Sequence, residues 1–146
     1  MTKSIRTYII ATLFAIAAFA MTAFAQNAQE AEALAIVNQI RVANGLSEVR
    51  FDAALENGSA VRANEITTSF SHTRPDGSAW WTVDDSLMYG ENLAEGYDSA
   101  QDVVNAWMAS PSHAENILKA DFTTCAITMT TSSNGKVYWA QEFGIA

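Results

Sequence analysis

Two histidines are the scarce chemical resource of this 146-residue chain. His72 lies in the run SHTRPDG and His113 in the run SPSHAENIL, each close to one of the only two prolines. Both therefore belong to constrained turns rather than helix interiors. Between them in sequence stands Glu91, in the run YGENLA. Leu93 and Ala94 after it suggest a short buried strand, which would place Glu91 in or near the core. A buried carboxylate needs a partner, and an imidazole is a natural one. Such a trio permits three chemistries. Two neutral imidazoles and a carboxylate are a known zinc set, with water in the fourth position. Glu91 would then be a direct ligand, or would orient one histidine from behind. A carboxylate beside imidazoles can also act as a general base, with Glu91 in that catalytic role. The third possibility is a hydrogen-bonded network that fixes the loops against the core.

The elements that must position these residues are legible in outline. From Ala33 the chain turns helical through Val37 and Ile40, with Asn44-Gly45 as a stop. Asp52 is placed to cap a second helix running to about Phe70. Ser71 to Tyr89 has no sustained period and holds an Arg-Pro-Asp-Gly turn signal, which reads as a long functional loop. Ala100, Val103, Val104 and Trp107 fall at i, i+3, i+4 and i+7 of a third helix opened by Asp98-Ser99. Ser110, as a side-chain cap with Pro111 at the first helical position, starts a short fourth helix ending near Lys119. A terminal hairpin joins Thr123–Thr131 to Lys136–Phe143 through Asn134-Gly135. Helices ahead of a hairpin predict an α+β fold.

The first 25 residues carry Lys3 and Arg6, an apolar run from Tyr8 to Met21, and the small-x-small ending Ala23-Phe24-Ala25. This is the order of a secretory signal peptide. Its removal takes the formal charge from −8 to −10. The expected organisation is a signal peptide over 1–25, a polar leader over 26–32 and one domain over 33–146. A secreted, extracellular or cell-envelope protein follows, with no transmembrane span after cleavage. An acidic chain without a basic run argues against nucleic acid. A single cysteine excludes a disulfide framework. Cys125 reads as a small strand hydrophobe, or as a thiol able to pair between chains.

In combination and order, the runs SHTRPDG (71–77), GENLA (90–94), AWMASPSHAENIL (106–118) and YWAQEFG (138–144) resemble the CAP superfamily of cysteine-rich secretory, antigen 5 and pathogenesis-related 1 proteins, in a bacterial form. The likeness covers Ile36 to Gly144. It implies a three-layer α-β-α sandwich around a small antiparallel sheet, with a cleft lined by two histidines and acidic residues. His72, Glu91 and His113 match three members of the family's cleft tetrad. The fourth, a glutamate in many eukaryotic members, has no counterpart near Ser110, and the cysteine-rich extensions are missing.

The leading expectation is a secreted binding module holding zinc or another divalent cation at His72, Glu91 and His113. A hydrolase using Glu91 is the second. A lipid- or sterol-binding protein is the third, as the resemblance suggests for some members. Trp80, Trp81, Tyr89 and Asn92 are the candidate cleft residues for a small-molecule, lipid or peptide ligand. Glu142 is an extra carboxylate that nothing in the sequence directs at the cleft.

Overall fold

The computed structural model describes residues 28–146. The expected signal peptide and the first residues of the expected leader lie outside the described residues. Helix α1 covers residues 28–43 of that region, so residues 28–32 of the expected polar leader are helical. Polar anchors explain this. Gln29 Oε1 accepts the Ala100 N–H at 2.7 Å, and Glu30 Oε1 accepts the Met129 N–H at 2.8 Å. Apolar periodicity cannot reveal such ties. Farther along, buried Ala33, Val37 and Arg41 form one stripe at four-residue spacing. The Arg41 guanidinium donates to the carbonyls of Ser47, Ile117, Lys119 and Phe122. Gly45, at φ +76°, makes the left-handed stop after this helix.

Strand β1 (Arg50–Phe51) leads into α2 (Ala53–Ile66). Asp52 caps α2 by accepting the Ala54 and Leu55 N–H groups. The helix stops four residues before Phe70. Thr67 Oγ1 donates back to the Asn64 carbonyl at 2.7 Å, a local bond that competes with helix propagation. A 3-10 turn (Trp80–Val83), β2 (Gly90–Glu95), α3 (Ala100–Ala109), α4 (Pro111–Ile117), β3 (Thr124–Thr131) and β4 (Val137–Gly144) follow. Ser99 caps α3 through its hydroxyl, as expected. Ser110 opens α4 through its backbone carbonyl alone, which accepts the Ala114 N–H, and the expected side-chain cap is absent.

The sheet order is β1-β3-β4-β2. β4 pairs antiparallel with both neighbours, whereas β1 runs parallel to β3. The sheet is thus mixed rather than purely antiparallel. A two-residue strand is too short to leave a period in the sequence. Against one face, Leu55, Ala63 and Ile66 of α2 pack on Ala126, Leu93 and Ala140. Against the other, Val37, Val103, Trp107 and Ile117 of α1, α3 and α4 pack on Cys125, Trp139 and Phe143. Helices cover both faces, and every residue of β4 is buried. The α+β three-layer architecture is thereby established. Among the described residues, no helix is long and apolar enough to cross a membrane.

Candidate functional site

β2 is an edge strand, and its alternation sends Glu91 and Asn92 to opposite faces of the sheet. On the α2 face, Glu91 has a fully buried side chain held by two elements. Arg62 of α2 grips it through Nε at 2.7 Å and Nη2 at 3.2 Å. His72, from the loop after α2, meets Glu91 Oε1 through Nδ1 at 2.7 Å. Arg62 also donates to Glu65 Oε2 and to the Ser71 carbonyl, each at 2.6 Å, and Arg74 closes on Glu65. The chain Arg74–Glu65–Arg62–Glu91–His72 therefore ties the loop to the helix and the sheet.

Burial pushes the Glu91 carboxyl up, but the hydrogen bonds from His72 and Arg62 outweigh it and hold the group below the usual glutamate range. Glu91 is thus a carboxylate at neutral pH, and the Nδ1–H of His72 donates to it. Nε2 remains for the solvent side of a ring that is 56% exposed.

Glu142 of β4 lies directly opposite Glu91 in register and is fully buried. No group donates a hydrogen bond to either of its carboxyl oxygens. Burial first, then the Glu91 charge, pushes its carboxyl well above the usual range. Glu142 therefore favours its neutral form opposite the Glu91 carboxylate, and the facing pair carries one proton between them. The sequence does not direct this residue at the site. Strand register alone brings it there.

On the opposite face a second polar network forms. Asn92 Nδ2 donates to Gln141 Oε1 at 2.9 Å and to the His113 carbonyl at 3.1 Å. Asn116 of α4 donates to Asn92 Oδ1 and to the Glu91 carbonyl. Trp107 Nε1 donates to the Leu93 carbonyl at 3.1 Å. The outward carbonyls of an otherwise open strand edge are thus satisfied by side chains. Gln141 reaches Cys125 Sγ at 3.6 Å. Burial pushes the Cys125 thiol up to about 12, and its enclosure rules out the pairing between chains that the sequence allows.

A cleft of about 290 Å³ runs along the β2 edge, bounded by Phe70, Leu93, Tyr97, Ala106, Trp107, Ser110 and His113 among others. Burial, and then the nearby His72, hold the His113 imidazole below its usual range. Trp80, Trp81 and Tyr89 do not bound this cavity, and the Trp80 backbone N–H donates instead to the His72 carbonyl at 3.1 Å. Trp80 packs on the Leu55–Met88–Ala126 cluster and meets Trp81 edge-on at 5.5 Å. Trp81 and Tyr89 are exposed elsewhere. Asn92 is buried network rather than cleft wall. Phe70 and Trp107 supply the aromatic surface instead.

His72 bonds directly to Glu91, and His113 lies close enough for the His72 charge to act on it. Among the described residues, no three or more His, Cys, Asp or Glu side chains are grouped to hold a metal ion. The oxygens of Glu91 are already engaged by Arg62 and His72, so this carboxylate does not fit the role of direct ligand. It orients His72.

The sequence pattern of the cysteine-rich secretory protein family matches residues 34–143. The chain belongs to this CAP family. Among its relatives, the uncharacterized protein YkwD of Bacillus subtilis (strain 168) is 27% identical over 124 residues, 80% of this chain and 47% of that protein. An outer surface protein of Borrelia burgdorferi superposes with a TM-score of 0.65 at 25% identity, over 77% of this chain and 88% of the other. An extracellular SCP-domain protein of Bacillus anthracis superposes at 0.71 with 18% identity, over 83% of this chain and 41% of the other. The CAP chain spans about half the length of the curated relative it matches.

Proposed function

We propose that this CAP domain is an extracellular or cell-envelope binding module that takes an apolar group into the cleft beside His113. The cavity itself carries the reading: about 290 Å³ walled by Phe70, Leu93, Tyr97 and Trp107, with Ser110 and His113 as polar contacts. Such a site suits a fatty acyl chain, a sterol or an apolar peptide side chain next to a polar group. The related structures described as extracellular or outer surface proteins support the location.

The test is a titration with palmitate, cholesterol and an alternating Ala-Leu tetrapeptide, followed by tryptophan emission and melting temperature. Saturable binding of one probe by wild type, lost in Ala106→Met, is the expected result. Binding that Ala106→Met leaves unchanged would remove the cleft from the reading. Catalysis has one observation in its favour. Glu91 fixes the Nδ1–H of His72 and leaves Nε2 as a base. Turnover of a peptide and ester panel that disappears in Glu91→Gln would replace binding by hydrolysis. A cation site would rest on the two imidazoles and water alone. Zinc calorimetry on wild type and on His72→Ala plus His113→Ala decides it, since equal heats exclude these side chains.

A further inference from the structure

The other edge of the sheet carries a second groove, remote in topology from the cleft. β1 pairs only with Thr124 and Cys125, whereas β3 continues to Thr131. The Met129 N–H faces away from β4, where Glu30 Oε1 accepts it at 2.8 Å. Strand alternation turns the backbone groups of Ile127 and Thr131 the same way. Among the described residues, no strand pairs with this edge beyond β1. A cavity of about 340 Å³ opens beside it, floored by Ile127 and walled by Leu34, Ala31 and Phe51. Phe51 is 55% exposed, an unusual cost for a phenylalanine beside an open strand edge.

Two carboxylates complete the groove, Glu30 from α1 and Glu56 from the first turn of α2. Among the described residues, neither makes a salt bridge. Burial raises the Glu30 carboxyl above its usual range, the Met129 N–H opposes the rise, and the Glu56 charge adds to it. An incoming cation would relieve both the burial and the repulsion. Arg50, the nearest base in sequence, alternates to the opposite face from Phe51.

We propose that this edge is a second binding site, which takes an extended basic segment of a partner protein as an added strand beside β3. The added strand continues the line that β1 begins. Its carbonyl takes over the Met129 N–H, and Glu30 swings to the basic side chain. Glu30 thus holds the place of a strand until one arrives. The groove of Leu34, Phe51 and Ile127 receives the apolar side chain that alternates with the basic ones. A chain carrying 16 acidic against 8 basic residues adds long-range attraction for such a segment.

The probe is a fluorescein-labelled hexapeptide of alternating lysine and valine, read by anisotropy against the purified protein. Saturable binding that weakens with salt is expected, and no binding at millimolar protein overturns the proposal. Glu30→Gln with Glu56→Gln should weaken binding roughly tenfold, the effect of losing close charge partners. Phe51→Ala should weaken it further. A peptide N-methylated at alternate residues should fail to bind, and equal binding by it would refute strand addition. A glutamate–valine peptide that binds as well would refute charge recognition. Ala106→Met, which fills the cleft on the β2 edge, should change nothing, so failure here and failure of the cleft reading are separable.

Discussion

Replacing Glu142 by glutamine tests the central electrostatic argument. Directly opposed residues of antiparallel strands hold their Cβ atoms about 5 Å apart. Glu91 and Glu142 are such a pair, both buried, with Arg62 as the cation bonded to Glu91. Two full negative charges there are not sustainable, so the folded pair keeps one proton after both carboxyls of the unfolded chain have lost theirs near pH ~4.3. Above that value the folded state binds one proton more than the unfolded state. Stability then falls by about 1.4 kcal/mol per pH unit until the raised folded pKa of Glu142 is passed. Glu91 works in the opposite sense. Its depressed folded pKa gives stability that is present above the usual glutamate range and lost only on acidification. It therefore does not enter the window above about pH 5. Glutamine preserves the shape, offers an N–H to Glu91 and has no proton to lose. Its stability relative to wild type should improve by up to about 1.4 kcal/mol for each pH unit above the usual glutamate range, until the raised folded pKa is passed. Urea denaturation followed by tryptophan emission, at constant m, measures this as a shift in midpoint. A difference that stays flat with pH would refute the shared proton. A Glu142→Gln variant severely destabilised at pH 7 would show instead that an ionised Glu142 is a needed partner of Arg62.

Three further outcomes follow from the same geometry. Arg62→Met strands the Glu91 carboxylate in the core and cuts the link to Ser71, and should cost about 3–5 kcal/mol in chemical denaturation, as loss of one member of a buried ion pair does. Gly90→Ala places a Cβ 2.6 Å from the Phe122 ring, which is stacked on Phe143 and has little room to yield. It should cost about 1–3 kcal/mol by overpacking, read as a lower melting temperature. His113, held below its usual range by burial and then by His72, favours its neutral form in the folded protein. Its contribution is present above pH ~6.5 and lost as pH falls through the lower folded value, and an NMR titration should find the His113 midpoint below the free-histidine value.

The parts of the fold legible in the sequence are those governed by one repeating period. The apolar spacing of α3 from Ala100 to Trp107, the Asp52 cap and the Asn134-Gly135 hairpin all state their structure locally. The candidate site is legible only where a single buried charge demands a partner. That reasoning leads from Glu91 to His72. It does not reach Arg62, which sits within a helix of small residues whose apolar stripe is weak and gives no sign that a guanidinium is the buried member. Nor does it reach Glu142. β4 is covered on both faces, so Gln141 and Glu142 break no alternation, and their adjacency in sequence hides that they serve different faces. The aromatic residues of the cavity beside His113 are hidden for a related reason. Trp80, Trp81 and Tyr89 are conspicuous in sequence, yet the cleft takes its aromatic surface from Trp107, whose periodicity announces only a core residue.

Each histidine is tied to one of two neighbouring residues on a single strand. His72 is held through the side chain of Glu91 on the α2 face, and the His113 backbone is held through the side chain of Asn92 on the α4 face. The strand's alternation therefore puts the two supports on opposite faces while fixing where each begins. Asn116→Ala tests how far they act separately. The substitution removes the donors to Asn92 Oδ1 and to the Glu91 carbonyl, and should cost about 1–3 kcal/mol through unsatisfied acceptors. It loosens the backbone tie to His113 but leaves the ring-to-carboxylate contact of His72 intact. In an NMR spectrum the His113 ring resonances should move toward exposed values while those of His72 stay in place. Equal movement of both rings would mean that β2 itself has shifted, and that the two networks act as one unit across the sheet.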